Sequence, residues 1–119
     1  MSKPRIHSIT HETGEVSTRS SKSRRYEYAL VVEMPLLPEM ERFQGYISGE
    51  IARGNKPSTS WVRTLKTLKA QEEAGYTVTQ YAVSWHGTEA LAEKALKAAY
   101  HRPGVRFFVA KVDTIIEPT

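Results

Sequence analysis

One stretch constrains the fold of this chain more than any other. In YTVTQYAVSWH (76–86) apolar and polar residues alternate, with Tyr81, Val83 and Trp85 on one face. The chain then passes through Gly87 and Thr88 straight into the helix-period segment 90–100, where Leu91, Ala95, Leu96 and Ala99 are expected to face inward. Arg102-Pro103-Gly104 stops that helix, and VRFFVAKVDTI (105–115) reads as an interior strand. Strand–helix–strand joins two strands by a crossover, a connection that is right-handed between parallel strands.

The remaining elements fit around this unit. RYEYALVVEM (25–34) is a strand apolar on both faces, as an interior strand must be: Tyr26, Tyr28, Leu30 and Val32 on one, Ala29 and Val31 on the other. Residues 35–54 read as a helix with Met40, Phe43, Ile47 and Ile51 as its stripe, acids in its first turn and Gly54 as its stop. Gly45 and Gly49 oppose it, each costing about 1 kcal/mol against alanine, unless another backbone approaches closely there. A second helix over 59–74 buries Trp61, Val62, Leu65 and Leu68 and exposes Arg63, Lys66 and Lys69, completing an αα-hairpin. Gly14 marks a turn, so residues 5–10 and 15–19 form a hairpin, or residues 1–25 a mobile basic arm. The expected fold is α+β (α/β) in a single domain over 1–119, with one mixed β-sheet, an N-terminal hairpin, the αα-hairpin and the C-terminal strand–helix–strand unit.

Composition narrows the function class. The 119 residues suffice for one core, and the hydrophobic share of 39% argues against a wholly disordered chain. No apolar run could span a bilayer, and the start has no apolar signal segment. Without cysteine there is neither a disulfide framework nor a thiolate metal site, so a reducing, cytoplasmic setting is expected. The net charge of +4 is unevenly spread: residues 53–69 and 94–111 each carry five bases and no acid. That segregation suits an anionic partner and excludes an acidic DNA mimic.

Aromatic residues interleave with bases at SRRYEY (23–28), STSWVRTLK (58–66) and AYHRPGVRFF (99–108). Aromatic faces stack on nucleobases while arginine and lysine neutralise phosphates. The candidate ligand contacts are therefore Arg24, Arg25, Arg102 and Arg106 for phosphates, Tyr26 or Trp85 for a base, and His86 and Thr88 as donors where a strand end meets a helix start. The plain alternative makes WHGT (85–88) a strand-to-helix joint, with Gly87 turning the chain and Thr88 capping. His11-x-Thr13 and His86-x-Thr88 are two H-x-T pairs, and these resemble the two-histidine phosphoesterases. That resemblance implies the histidines as base and acid on a phosphodiester, with the threonines on its oxygens. No histidine–acid cluster has metal-ligand spacing, no catalytic motif is evident, and no cofactor is expected.

The order TRSSKSRRYEYALVV, YAVSWHGTEALAEKALKAA, VRFFVAKV (18–32, 81–99, 105–112) resembles small accessory proteins of bacteriophages and prophages. Among these are the sponges that counter Thoeris or CBASS defence by sequestering cyclic nucleotide signals without cleaving them. The resemblance implies a compact homo-oligomer in the host cytoplasm that binds a nucleotide or other phosphate-bearing small molecule, with no membrane contact. The alternatives are a nucleic-acid-binding accessory protein using the 53–69 face, a two-histidine phosphodiesterase, and a protein–protein inhibitor of a host defence enzyme.

Overall fold

The computed structural model describes residues 3–118. Nine elements follow in order: β1 (Arg5–Thr10), β2 (Val16–Ser21), β3 (Tyr28–Pro35), α1 (Leu36–Ala52), α2 (Thr59–Glu73), β4 (Val78–His86), α3 (Glu89–Ala98), β5 (Arg106–Lys111) and β6 (Thr114–Ile116). They gather into two compact units, residues 3–33 with 80–118, and Met34–Thr79. Among the described residues no helix is long and apolar enough to cross a membrane.

The first unit holds the hairpin and α3. Gly14 at φ 87 turns β1 into β2, with His11 N donating to Glu15 O at 2.8 Å. The pair is in antiparallel register from Arg5–Ser21 to Thr10–Val16. The α+β class, the hairpin, the αα-hairpin and the strand–helix–strand unit are all present, but the strands form two three-stranded antiparallel sheets, not one mixed sheet. Their orders are β2-β1-β6 and β4-β3-β5. Two causes account for the difference. The strand expected over 105–115 divides: β5 pairs with β3, then Val112 N donates to Glu27 O and Asp113 N to Ser8 O, carrying the chain over to β1 as β6. In addition, β3 lies between β4 and β5, so the crossover joins strands that are not neighbours.

β3 is the buried strand its two apolar faces called for. Val31 and Val32 are nearly inaccessible, each contributing about 1.5–3 kcal/mol of apolar burial. A core cluster of Ile9, Ala29 and Val112 lies between the sheets, with Trp85, Ala82, Ala110 and Ile115 packed on it. Burial in α3 falls on Ala92, whereas Leu91, expected inward, is exposed, as are Tyr81 and Val83 of β4.

In the second unit α1 runs unbroken through both glycines. A Cβ at Gly45 would meet nothing within 4 Å, and one at Gly49 only the guanidinium of Arg53, so no backbone makes a close approach there. Leu36, Ile47, Leu65 and Leu68 are buried and Trp61 packs on Tyr46 at 5.3 Å, while Ile51 and Val62 turn to solvent. Both helices end in the same way. Gly54 and Gly75 take positive φ, and the pairs Asn55 N–Glu50 O with Gly54 N–Ile51 O, and Tyr76 N–Gln71 O with Gly75 N–Glu72 O, close the last carbonyls as Schellman motifs.

Candidate functional site

The candidate residues divide sharply once their partners are placed. Arg106 grips Glu33 on the neighbouring β3, and its guanidinium lies 4.6 Å from the Phe108 ring centre. Arg25 is held by Glu27 at 2.8 Å and by Glu117, which also binds Arg5. Each of these arginines is already paired with a carboxylate of the chain. Tyr26 is buried, edge-on to His7 at 5.0 Å with the Arg19 guanidinium over its ring, so it cannot stack a base. Trp85 is half-buried and packs against the core cluster. Arg24 stays exposed in the β2–β3 loop, its N–H donating to Ser21 Oγ.

The WHGT joint is structural. Thr88 is the N-cap of α3, accepting from Leu91 N at 3.3 Å, and Glu89 occupies the first turn. His86 bonds Ser84 through Nε2 at 2.8 Å and accepts from Glu27 N through its carbonyl.

The H-x-T pairs lack the geometry their chemistry needs. Residues i and i+2 share a face only within a strand. β1 ends at Thr10, so His11-x-Thr13 lies in the hairpin turn, and β4 ends at His86, so its Thr88 caps a helix. His11 is instead buried with Nε2 on Ser17 Oγ at 2.7 Å, and Ser17 Oγ also accepts from Ala82 N at 3.2 Å. Desolvation pulls the His11 imidazole below its ordinary value, against opposing fields from Asp113 and Glu15. Ser17 went unrecognised in the sequence because a serine in a polar edge strand looks like any other. His7 is fully buried: its Nδ1 lies 2.9 Å from Arg19 O and its Nε2 accepts from Tyr26 N at 2.9 Å. Both ring nitrogens are used by the backbone, which is a structural role.

Arg102 remains. Among the described residues it has no acidic partner, and it lines a cleft of about 710 Å³ in the first unit. Leu30, Val83 and Phe107, one from each strand of the β4-β3-β5 sheet, form the apolar floor; Ala95 and Ala98 of α3 form a wall. Tyr100, four-fifths exposed, flanks the opening, and His101 packs edge-on to Phe107 at 5.7 Å. Of the residues expected inward on α3, Ala95, Leu96 and Ala99 are half-buried and Leu91 is exposed; the cleft itself depends on the packing of α3 against the sheet, which the sequence does not show. Ser84 also lines the cleft and its Oγ lies 2.8 Å from His86 Nε2, so His86 stands one hydrogen bond behind the lining, whereas Thr88 caps the opposite end of α3 from Ala98 and Ala99.

On α2 of the second unit, Arg63, Lys66 and Lys69 are exposed as expected and carry no ion pair among the described residues. Among the described residues no three histidine or acidic side chains converge on a metal position. Compared with protein-family models, curated proteins and solved structures, the chain matches none.

Proposed function

We propose that this protein binds a small phosphate-bearing aromatic ligand, most concretely a nucleotide, in the cleft beside α3, without turning it over. The cleft carries this reading: its volume of about 710 Å³ falls within the size range of small-molecule sites, its floor is apolar, and an unpaired guanidinium stands at its mouth. A base would lie against Phe107 and Tyr100 while Arg102 neutralises a phosphate. The lining includes no carboxylate, and its Ser84 hydroxyl is bonded to His86 Nε2 at 2.8 Å, so the absence of turnover is tested by whether the ligand is recovered intact. Sequestration of a nucleotide immune signal in a host cytoplasm, by a homo-oligomer, is the biological form that the phage-protein resemblance gives this reading. Native mass spectrometry of protein purified from cells tests it, with an intact nucleotide recovered after denaturation as the expected result. Recovery of a hydrolysed product, or binding of added nucleotide that survives filling the cleft by Ala95→Leu, contradicts it.

The unpaired face of α2 favours a second reading, a nucleic-acid-binding accessory protein. Duplex binding that falls steeply with salt and is lost in Lys66→Ala and Lys69→Ala would put that reading first.

A further inference from the structure

The described lining of the cleft carries three polar side chains, and their settings differ. Tyr100 and Arg102 are exposed at its mouth, whereas Ser84 is half-buried on β4, next to Val83 of the floor. Residues two apart in a strand share a face, and Ser84 Oγ lies 2.8 Å from His86 Nε2. His86 is itself held in place. Its carbonyl accepts from Glu27 N at 3.0 Å, and a Cβ added at the next residue, Gly87, would stand 3.5 Å from Arg25 O. A serine hydroxyl has one donor and two acceptor positions, and a free one turns among three rotamers. The bond to the ring spends one position and selects one rotamer. Among the described residues no other group bonds this hydroxyl, so two positions remain for an occupant of the cleft.

Resting on the nucleotide reading, we infer that Ser84 determines the specificity of the cleft by hydrogen-bonding the polar edge of the base, and that His86 is the residue that positions it. An occupant lying over the floor takes water away from the Ser84 hydroxyl. The edge of a nucleobase replaces that water with a hydrogen bond, whereas an apolar ring leaves the hydroxyl unpaired on that side. A site built to hydrogen-bond its ligand rejects the analogue that lacks the polar atom more strongly than apolar contacts can. Leu30, Val83 and Phe107 accept any flat ring, so the choice among aromatic phosphates falls to Ser84. Arg102 answers to the phosphate alone, and the two contributions are separable.

Calorimetric titration with AMP and with benzimidazole riboside 5′-phosphate tests the assignment. The two share ribose, phosphate and a flat bicycle, but the second lacks the amino group and the nitrogens of the six-membered ring. AMP is expected to bind the wild type about tenfold more tightly, the size of one hydrogen bond made or left unpaired. Ser84→Ala should bring AMP down to the affinity of the analogue and leave the analogue unchanged, with circular dichroism as in the wild type. His86→Leu should erode the preference in the same direction. His86→Gln, whose amide can bond the Ser84 hydroxyl as the ring does, should restore it. Equal wild-type affinities, with AMP binding still dependent on Arg102, overturn the inference and leave the nucleotide reading standing; this comparison needs no Ser84 variant. A preference that survives Ser84→Ala, or an equal loss of both ligands in it, also overturns the inference, because the base edge is then read elsewhere or the hydroxyl serves ribose, phosphate or fold. A preference unchanged in His86→Leu overturns the positioning role. No binding of either ligand to the wild type at millimolar concentration removes the nucleotide reading and this inference together.

Discussion

Arg106 and Glu33 form a forked contact across β3 and β5, Nε to Oε2 and Nη2 to Oε1, each at 3.2 Å. Glu33 also accepts from Gln80 Nε2 at 2.8 Å, and Gln80 Oε1 in turn accepts from Glu12 N. The chain of contacts crosses all three strands of one sheet and reaches the hairpin turn. An arginine so engaged serves the fold.

That contact sets an acid dependence. The hydrogen bond from Arg106, with a smaller one from Gln80, holds the Glu33 carboxyl below its ordinary range against the opposing effect of burial. A depressed carboxyl contributes stability that is complete above its unfolded value, about 4.3, and is lost as pH falls through its folded value. Urea midpoints measured between pH 6 and 3 should therefore fall more steeply in the wild type than in Glu33→Gln. Parallel profiles would show that the fork contributes nothing.

His11 sets a second window at higher pH. Its imidazole is lowered by burial, so the unfolded chain takes up a proton first. Its contribution is complete above the unfolded value of about 6.5 and is lost as pH falls below it. The wild type should lose stability from pH 7.5 to 5 relative to His11→Gln, measured by urea denaturation. Ser17→Ala, which unpairs both His11 Nε2 and Ala82 N, should cost about 1–3 kcal/mol at pH 7.5. A neutral Ser17→Ala would show that these groups find other partners.

His7→Phe should cost about 2–4 kcal/mol despite its similar shape, because Tyr26 N and Arg19 O both lose a buried partner. Chemical denaturation reads this directly. A loss below about 0.5 kcal/mol would mean that water replaces the ring nitrogens.

Thr88→Ala removes the cap of α3 and should lower stability by about 0.5–2 kcal/mol, with Thr88→Ser restoring most of it. Nucleotide affinity should be unchanged, since the cleft lies at the other end of the helix. A loss of affinity without loss of stability would return Thr88 to the binding site.

The elements were legible in the sequence because their periodicities are clean, and β3, β4 and both long helices lie within a few residues of their expected bounds. The division into two sheets was not. It depends on Val112 and Asp113 leaving β5 for a new partner, and VRFFVAKVDTI keeps its strand character throughout. Placing the site residues needed tertiary partners. Arg102 and Arg106 look alike in sequence, and only Glu33, seventy-three residues from Arg106, distinguishes them. Tyr26, named as a base contact, is buried because His7, nineteen residues away in the chain, packs edge-on against it. Leu91 illustrates the limit of periodicity: the helix is amphipathic, but its fully buried residue is Ala92, and Leu91 beside it is half exposed.

The most direct measurement is calorimetric titration of AMP into the wild type, Arg102→Ala and Arg106→Ala at fixed ionic strength. Loss of the phosphate contact in Arg102→Ala should weaken binding about tenfold or more, while Arg106→Ala, held by Glu33 in the wild type, should bind as the wild type does. Binding that survives Arg102→Ala and is lost in Arg106→Ala would contradict the assignment of the cleft as the ligand site.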